Sequence, residues 1–114
     1  MVFMSGVTPR INLTDDGTSR APLVPGTFDE QCVDAFSNLT LMLIKTGITK
    51  GDVVDVTVYL TNIATNTAAF RHRWDGFFSG VTTPPCRSII GINALEGGYA
   101  LQMRVVAMLP DQLI

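Results

Sequence analysis

The stretch from Gly51 to Asn62, GDVVDVTVYLTN, alternates with a period of two. Val54, Val56, Val58 and Leu60 fall on one side, and Val53, Asp55, Thr57 and Tyr59 on the other. Successive side chains of an extended chain point to opposite faces, so the pattern predicts a half-buried strand. Such a strand needs another layer over its apolar side, and the segments flanking it have the period of helices.

Upstream, Thr27-Phe28-Asp29-Glu30 has the form of a capping box, in which the threonine hydroxyl and the glutamate carboxylate satisfy each other's amides. Behind it Phe28, Cys32, Ala35, Phe36, Leu39 and Leu43 recur at helical spacing, and Thr46-Gly47 supplies a stop. The spacing predicts a helix over 28–46. Downstream, residues 66–79 return to helical spacing, with Phe70, Trp74, Phe77 and Phe78 sharing an aromatic face that reads as core. Two further strands follow, one from Arg87 to Ile92 and one over 99–108, where Tyr99, Leu101, Met103 and Val105 alternate with Ala100, Gln102, Arg104 and Val106. Glu96-Gly97-Gly98 between them reads as a hairpin-type turn. At the other end, Val2-Phe3-Met4 reads as a short strand stopped by Ser5-Gly6, and residues 8–26 as a loop rich in turn residues. The order β, loop, α, β, α, β, β argues for a single α+β domain spanning 1–114, with two helices on one face of a mostly antiparallel sheet.

Composition bears on what surrounds that domain. Hydrophobic residues make up 46% of the 114 and charged residues 16%, which is low for a soluble domain, so a self-associating chain is expected. The net charge of −2, with scattered basic residues, shows no electrostatic footprint for nucleic acid. Arg71-His72-Arg73, the densest basic spot, reads as the solvated face of a helix. Cys32 and Cys86 have no metal-like spacing and read as reduced thiols. No apolar run reaches membrane-spanning length and no signal-peptide pattern opens the chain, so a cytoplasmic location is expected.

Inventory removes most catalytic kits. His72 is the sole histidine, which excludes a two-histidine metal site, and a Cys86–His72 nucleophile pair is outweighed by a packed cysteine and a surface histidine. Neither phosphate-binding glycine motif is present. What remains is Arg87, placed after Pro84-Pro85 at the mouth of an apolar strand. Its planar fork fits a carboxylate with two parallel hydrogen bonds, and a backbone amide such as that of Ile89 can add a donor. On these grounds alone, an arginine ending a strand in solvent is the stronger reading.

The run PPCRSIIGINAL, preceded by DVVDVTVYLTNI and FRHRWDGFFSG, resembles the RidA family, also called YjgF or L-PSP. FDEQCVDAFSNLTLMLIKTG is similar to that family's first helix, with Gln31, Asn38, Leu39 and Gly47 at its habitual places, and VFMSG is similar to its second strand. The resemblance covers nearly the whole chain. It implies a chorismate mutase-like fold and a homotrimer with clefts between subunits. It also implies hydrolysis of reactive enamines and imines to 2-keto acids and ammonia, without metal or organic cofactor. Arg87 would hold the substrate carboxylate, with Gly6, Phe78 and Ile89 completing the substrate-binding set.

Two departures qualify the expectation. Where the family's last strand reads I-E-I-E-x-x-A and a glutamate positions the attacking water, this chain has Gln102 and Arg104 in LQMRVVA. An arginine cannot accept a proton at neutral pH. The family also has a strand before VFMSG, so either Met1 is not the native start or one wall of the cleft is missing. Three readings follow. Arg87 and Arg104, with Gln102 near the water, grip a dicarboxylic imine; or the cleft binds a small carboxylic acid without turnover; or, weakest, the chain cleaves RNA or inhibits translation. Against the first, Arg104 equally suits pairing with an acid across a subunit interface.

Overall fold

The computed structural model describes residues 2–9 and 26–108. Six principal elements follow one another: β1 (Val2–Val7), α1 (Phe28–Thr46), β2 (Val53–Thr61), α2 (Ile63–Phe77), β3 (Cys86–Ile92) and β4 (Leu101–Ala107). Most of the 8–26 loop expected from the sequence, residues 10–25, lies outside the described residues.

α1 starts and stops where its chemistry dictates. Thr27 Oγ1 accepts from Glu30 N at 3.2 Å while the Glu30 carboxylate accepts from Thr27 N at 3.3 Å, so the capping box closes in both directions. Gly47, at φ 75°, ends it in the left-handed conformation. Two polar side chains on its buried face tie the layers together. Gln31 Nε2 donates to Gly26 O at 2.9 Å and its Oε1 accepts from Ala100 N at 2.7 Å, while Asn38 Nδ2 donates to Thr8 O at 2.8 Å. Both residues are buried and satisfied, and each links α1 to a strand end.

The strands form one sheet in the order β1-β4-β2-β3. β4 pairs antiparallel with both β1 and β2, but β3 runs parallel to β2, so the sheet is mixed. A parallel return needs a crossover, and α2 provides it. The expected hairpin at Glu96-Gly97-Gly98 is therefore corrected: β3 and β4 are not neighbours, and the turn carries the chain past β2 to its far side. The glycines marked a reversal without saying which strand would be the partner.

Three local features also differ from expectation. β1 does not stop at Ser5-Gly6; it continues to Val7 through a bulge, where Met4 faces Val105 and Val7 faces Met103, and Gly6 takes up the extra residue at φ 73°. In β2 a second bulge lies between Val53, opposite Ala107, and Asp55, opposite Val106. It turns Val54 out to 43% exposure and Val53 in to 2%, reversing the simple alternation for that pair alone. α2 starts at Ile63 rather than 66, because Asn62 adopts φ 48°, tolerated by asparagine, and starts the helix directly off β2.

Both helices cover one face of the sheet. Val56, Val58 and Leu60 of β2 and Leu101, Met103 and Val105 of β4 meet Cys32, Ala35, Phe36, Leu39 and Leu43 of α1. Phe70 and Trp74 of α2 complete the interior, with Phe36 and Phe70 stacked at 5.8 Å between ring centroids. On the outer surface, Arg73 Nε donates to Asp29 Oδ1 at 2.8 Å and Nη2 to Oδ2, joining the helices by a two-point ion pair. No helix among the described residues is long and apolar enough to cross a membrane. Phe70 is fully buried, so Phe70→Ala is expected to lower unfolding stability by about 3–5 kcal/mol in chemical denaturation monitored by circular dichroism.

Candidate functional site

β3 is an edge strand whose pairing with β2 sorts its side chains. Arg87, Ile89 and Gly91 lie opposite Val56, Val58 and Leu60 and so face the helices, while Cys86, Ser88 and Ile90 face the uncovered side of the sheet. α2 returns antiparallel over this strand, which brings its C-terminal end above the start of β3. There the Arg87 guanidinium carbon lies 5.1 Å from the Trp74 ring centroid, within cation–π range. Trp74 packs in turn on Phe78 at 4.5 Å, and both rings are buried.

These groups open onto a cavity of about 480 Å³ lined by Trp74, Asp75, Phe78, Pro84, Pro85 and Arg87. The proline pair stiffens the approach to β3 and forms one wall, so the arginine enters the strand from a fixed direction. Arg87 is partly buried and, among the described residues, pairs with no carboxylate; its recorded partner is the indole face. A guanidinium resting near a ring face by cation–π attraction leaves N–H groups available for an oxyanion.

The other expected site residues are distributed by the sheet. Phe78 lines the cavity with Arg87, and Ile89 follows two residues along the same strand, packed on the core. Gly6 sits on β1, the opposite edge, with β4 and β2 in between, about 14 Å away by strand spacing. Within one protomer Gly6 does not line the cavity at Arg87. Gln102 and Arg104 lie opposite Tyr59 and Thr57 on the uncovered face, so within one protomer they are on the other side of the sheet from Arg87. A grip by both arginines would need Arg104 from a neighbouring copy.

The helical spacing marks Trp74 as core and sets Asp75 off the aromatic face, with no sign that either borders a site. Trp74 is core on one side and cavity wall on the other, and Asp75 shares that wall. The available signal was the proximity of an aromatic helix end to a strand-initiating arginine, which becomes legible only once β3 is known to run parallel to β2.

A second cavity, of about 610 Å³, lies between the outer faces of α1 and α2. Lys50 reaches into it, donating to Phe77 O at 2.9 Å with its ammonium 4.0 Å from the Phe77 ring centroid. In the basic triplet, Arg71 and His72 are exposed and Arg73 is neutralised by Asp29, whose carboxyl is held below its usual range by the Arg73 hydrogen bond. Among the described residues no group of three histidine, cysteine or acidic side chains is placed to hold a metal.

The two thiols differ sharply. Cys86 is exposed at the start of β3, whereas Cys32 is buried on the inner face of α1, and burial pushes its thiol up from 9.0 to about 12. The thiolate is the reactive form, so near pH 8 a thiol reagent is expected to label Cys86 rapidly and Cys32 only upon unfolding. Mass spectrometry of the native and denatured protein reads the difference. The raised folded value also means stability is lost as pH climbs from 9.0 toward about 12, where the unfolded chain ionises first.

Comparison with known proteins agrees with this fold. The family model described as endoribonuclease L-PSP matches residues 1–109. A RutC family protein from Aquifex aeolicus is 28% identical over 86 residues, covering 75% of this chain and 67% of its own. The structure of YyfA, a Rid family protein of Yersinia pestis, superposes with a TM-score of 0.77 at 26% identity, over 94% of this chain and 79% of that one. The structure of Escherichia coli TdcF with bound serine shares the fold, with a TM-score of 0.76 at 22% identity over 94% and 79% of the two chains.

Proposed function

The chain belongs to the endoribonuclease L-PSP family, and on that premise we propose that it hydrolyses small carboxylate-bearing imines and enamines to 2-keto acids and ammonia. The observation that carries the reading is Arg87, a cation without a carboxylate partner among the described residues, within cation–π range of Trp74 at the wall of a cavity. The guanidinium takes the substrate carboxylate in a two-point grip, which fixes the imine carbon next to it. Water then adds to that carbon while the C=N electrons move to nitrogen. The resulting carbinolamine forms C=O as ammonia leaves, and an enamine enters the sequence after tautomerising to the imine.

The working form in this reading is a homotrimer in the cytoplasm, with the clefts between subunits. Two features support assembly. Gly6 and Arg87 occupy opposite sheet edges, and the face not covered by helices leaves Ile90 44% exposed beside Tyr59. Exposed apolar side chains on a sheet face are stabilised when a second copy covers them.

One observation favours a second reading, a non-catalytic module for small carboxylic acids. Gln102 and Arg104 stand where the family's pattern has glutamates, and neither can serve as a general base at neutral pH. RNA cleavage has less support, since the sole histidine is exposed and the adjacent Arg73 is spent on Asp29.

The deciding experiment generates imines with an amino-acid oxidase from a panel that includes Glu and Asp, with semicarbazide trapping whatever is not hydrolysed. Accelerated keto-acid release is expected, falling about a hundredfold or more in Arg87→Ala. Arg104→Ala separates the one-arginine from the two-arginine grip: a selective loss of diacid imines supports the second. A folded protein that accelerates no imine overturns the deaminase reading in favour of the binding module.

A further inference from the structure

Two opposite charges face the cavity at the start of β3, Arg87 from the strand and Asp75 from α2, and they do not neutralise each other. The contrast lies two residues away. Arg73 and Asp29 meet in a two-point ion pair on the exposed outer surface, whereas Asp75, two residues further along the helix, pairs with no cation among the described residues. Trp74 explains the separation. It holds the Arg87 guanidinium against its ring, and Asp75, next in the helix, projects from a different angle around the same axis.

A cavity with one anion and one cation held apart, on walls of Trp74, Phe78 and two prolines, is complementary to a small molecule with both charges. We infer that Asp75 is a specificity-determining residue that selects ligands with a cationic nitrogen beside the carboxylate held by Arg87. The ligand class is the zwitterionic α-amino acid or the protonated imine of a 2-keto acid. This rests on the Arg87 clamp proposed above and adds a second pole to it. A 2-keto acid anion, with no charged nitrogen, satisfies Arg87 only; the iminium form satisfies both. The site thereby distinguishes substrate from product, since hydrolysis removes the nitrogen that Asp75 recognises. Two poles also fix orientation where a single clamp leaves the ligand free to rotate about the carboxylate axis.

The test uses a matched pair of probes, serine and glycerate, in which a hydroxyl replaces the ammonium group. Binding of each to the full chain is measured by calorimetry for the wild type, Asp75→Asn, Asp75→Glu and Arg87→Ala. The expected result is tighter binding of serine than of glycerate by the wild type. Asp75→Asn then weakens serine by roughly tenfold or more and leaves glycerate unchanged, as loss of a charge-assisted contact requires. Asp75→Glu recovers part of the preference, and Arg87→Ala weakens both probes. The last variant also separates this cavity from the one between the helices, which Asp75 borders too but Arg87 does not. Asp75 is exposed, so its substitution leaves the core intact. If glycerate binds through Arg87 but serine binds no better, or if Asp75→Asn leaves the preference unchanged, the Asp75 inference fails and the Arg87 clamp stands. If the wild type binds neither probe, both fail.

Discussion

The candidate site depends on β3 running parallel to β2. A parallel return obliges the chain to cross over the sheet, and the crossing element is α2. An antiparallel β3 would have placed Arg87 at the other end of the strand pair, away from Trp74 and Phe78. The pairing also decides which residues of β3 look toward the helices, putting Arg87 on the covered side and Ser88 on the uncovered one. The chemistry of the site is thus inherited from strand direction, and the individual side chains act within a frame set by topology.

α1 makes that frame rigid. Its buried face is mostly apolar, yet it carries Gln31 and Asn38, whose amides bond to the backbone at Gly26, Ala100 and Thr8. Each amide satisfies a main-chain group near an element end, where the ladder of the sheet no longer does. These contacts pin the entry to β4 and the end of β1 to one helix. Gln31 and Asn38, two of the four residues singled out as habitual in the family's first helix, therefore have a physical role independent of any ligand.

Much of this was legible from the sequence, for reasons that can be named. The capping box, the Gly47 stop and the alternation in β2 and β4 are local signals, and the structure carries each of them out. The misreadings came where a local signal has a non-local meaning. Glu96-Gly97-Gly98 marks a reversal but does not identify the strand that will receive it. Val53 and Val54 are equivalent as letters and are told apart only by a bulge opposite β4. The same limit applied to the site. Arg87 stands out as a charge at the mouth of an apolar strand, whereas nothing local sets Asp75 apart from any other acid on the polar side of a helix. Its position beside Arg87 follows from the crossover, which no short-range pattern encodes.

The contact between Gly91 and α2 has a further consequence. A side-chain carbon at Gly91 would lie 3.1 Å from Ile63 Cγ2, so the start of the helix rests almost directly on the backbone of β3. The far end of the same helix rests on the same strand through Trp74 and Arg87. α2 is thus a beam on two bearings, one set by the absence of a side chain and the other by a charge on a ring. A beam supported in this way cannot tilt at one bearing without levering the other. The gap at the Arg87 end is set partly at Gly91, so the smallest residue on the strand helps to gauge the mouth of a pocket it never touches.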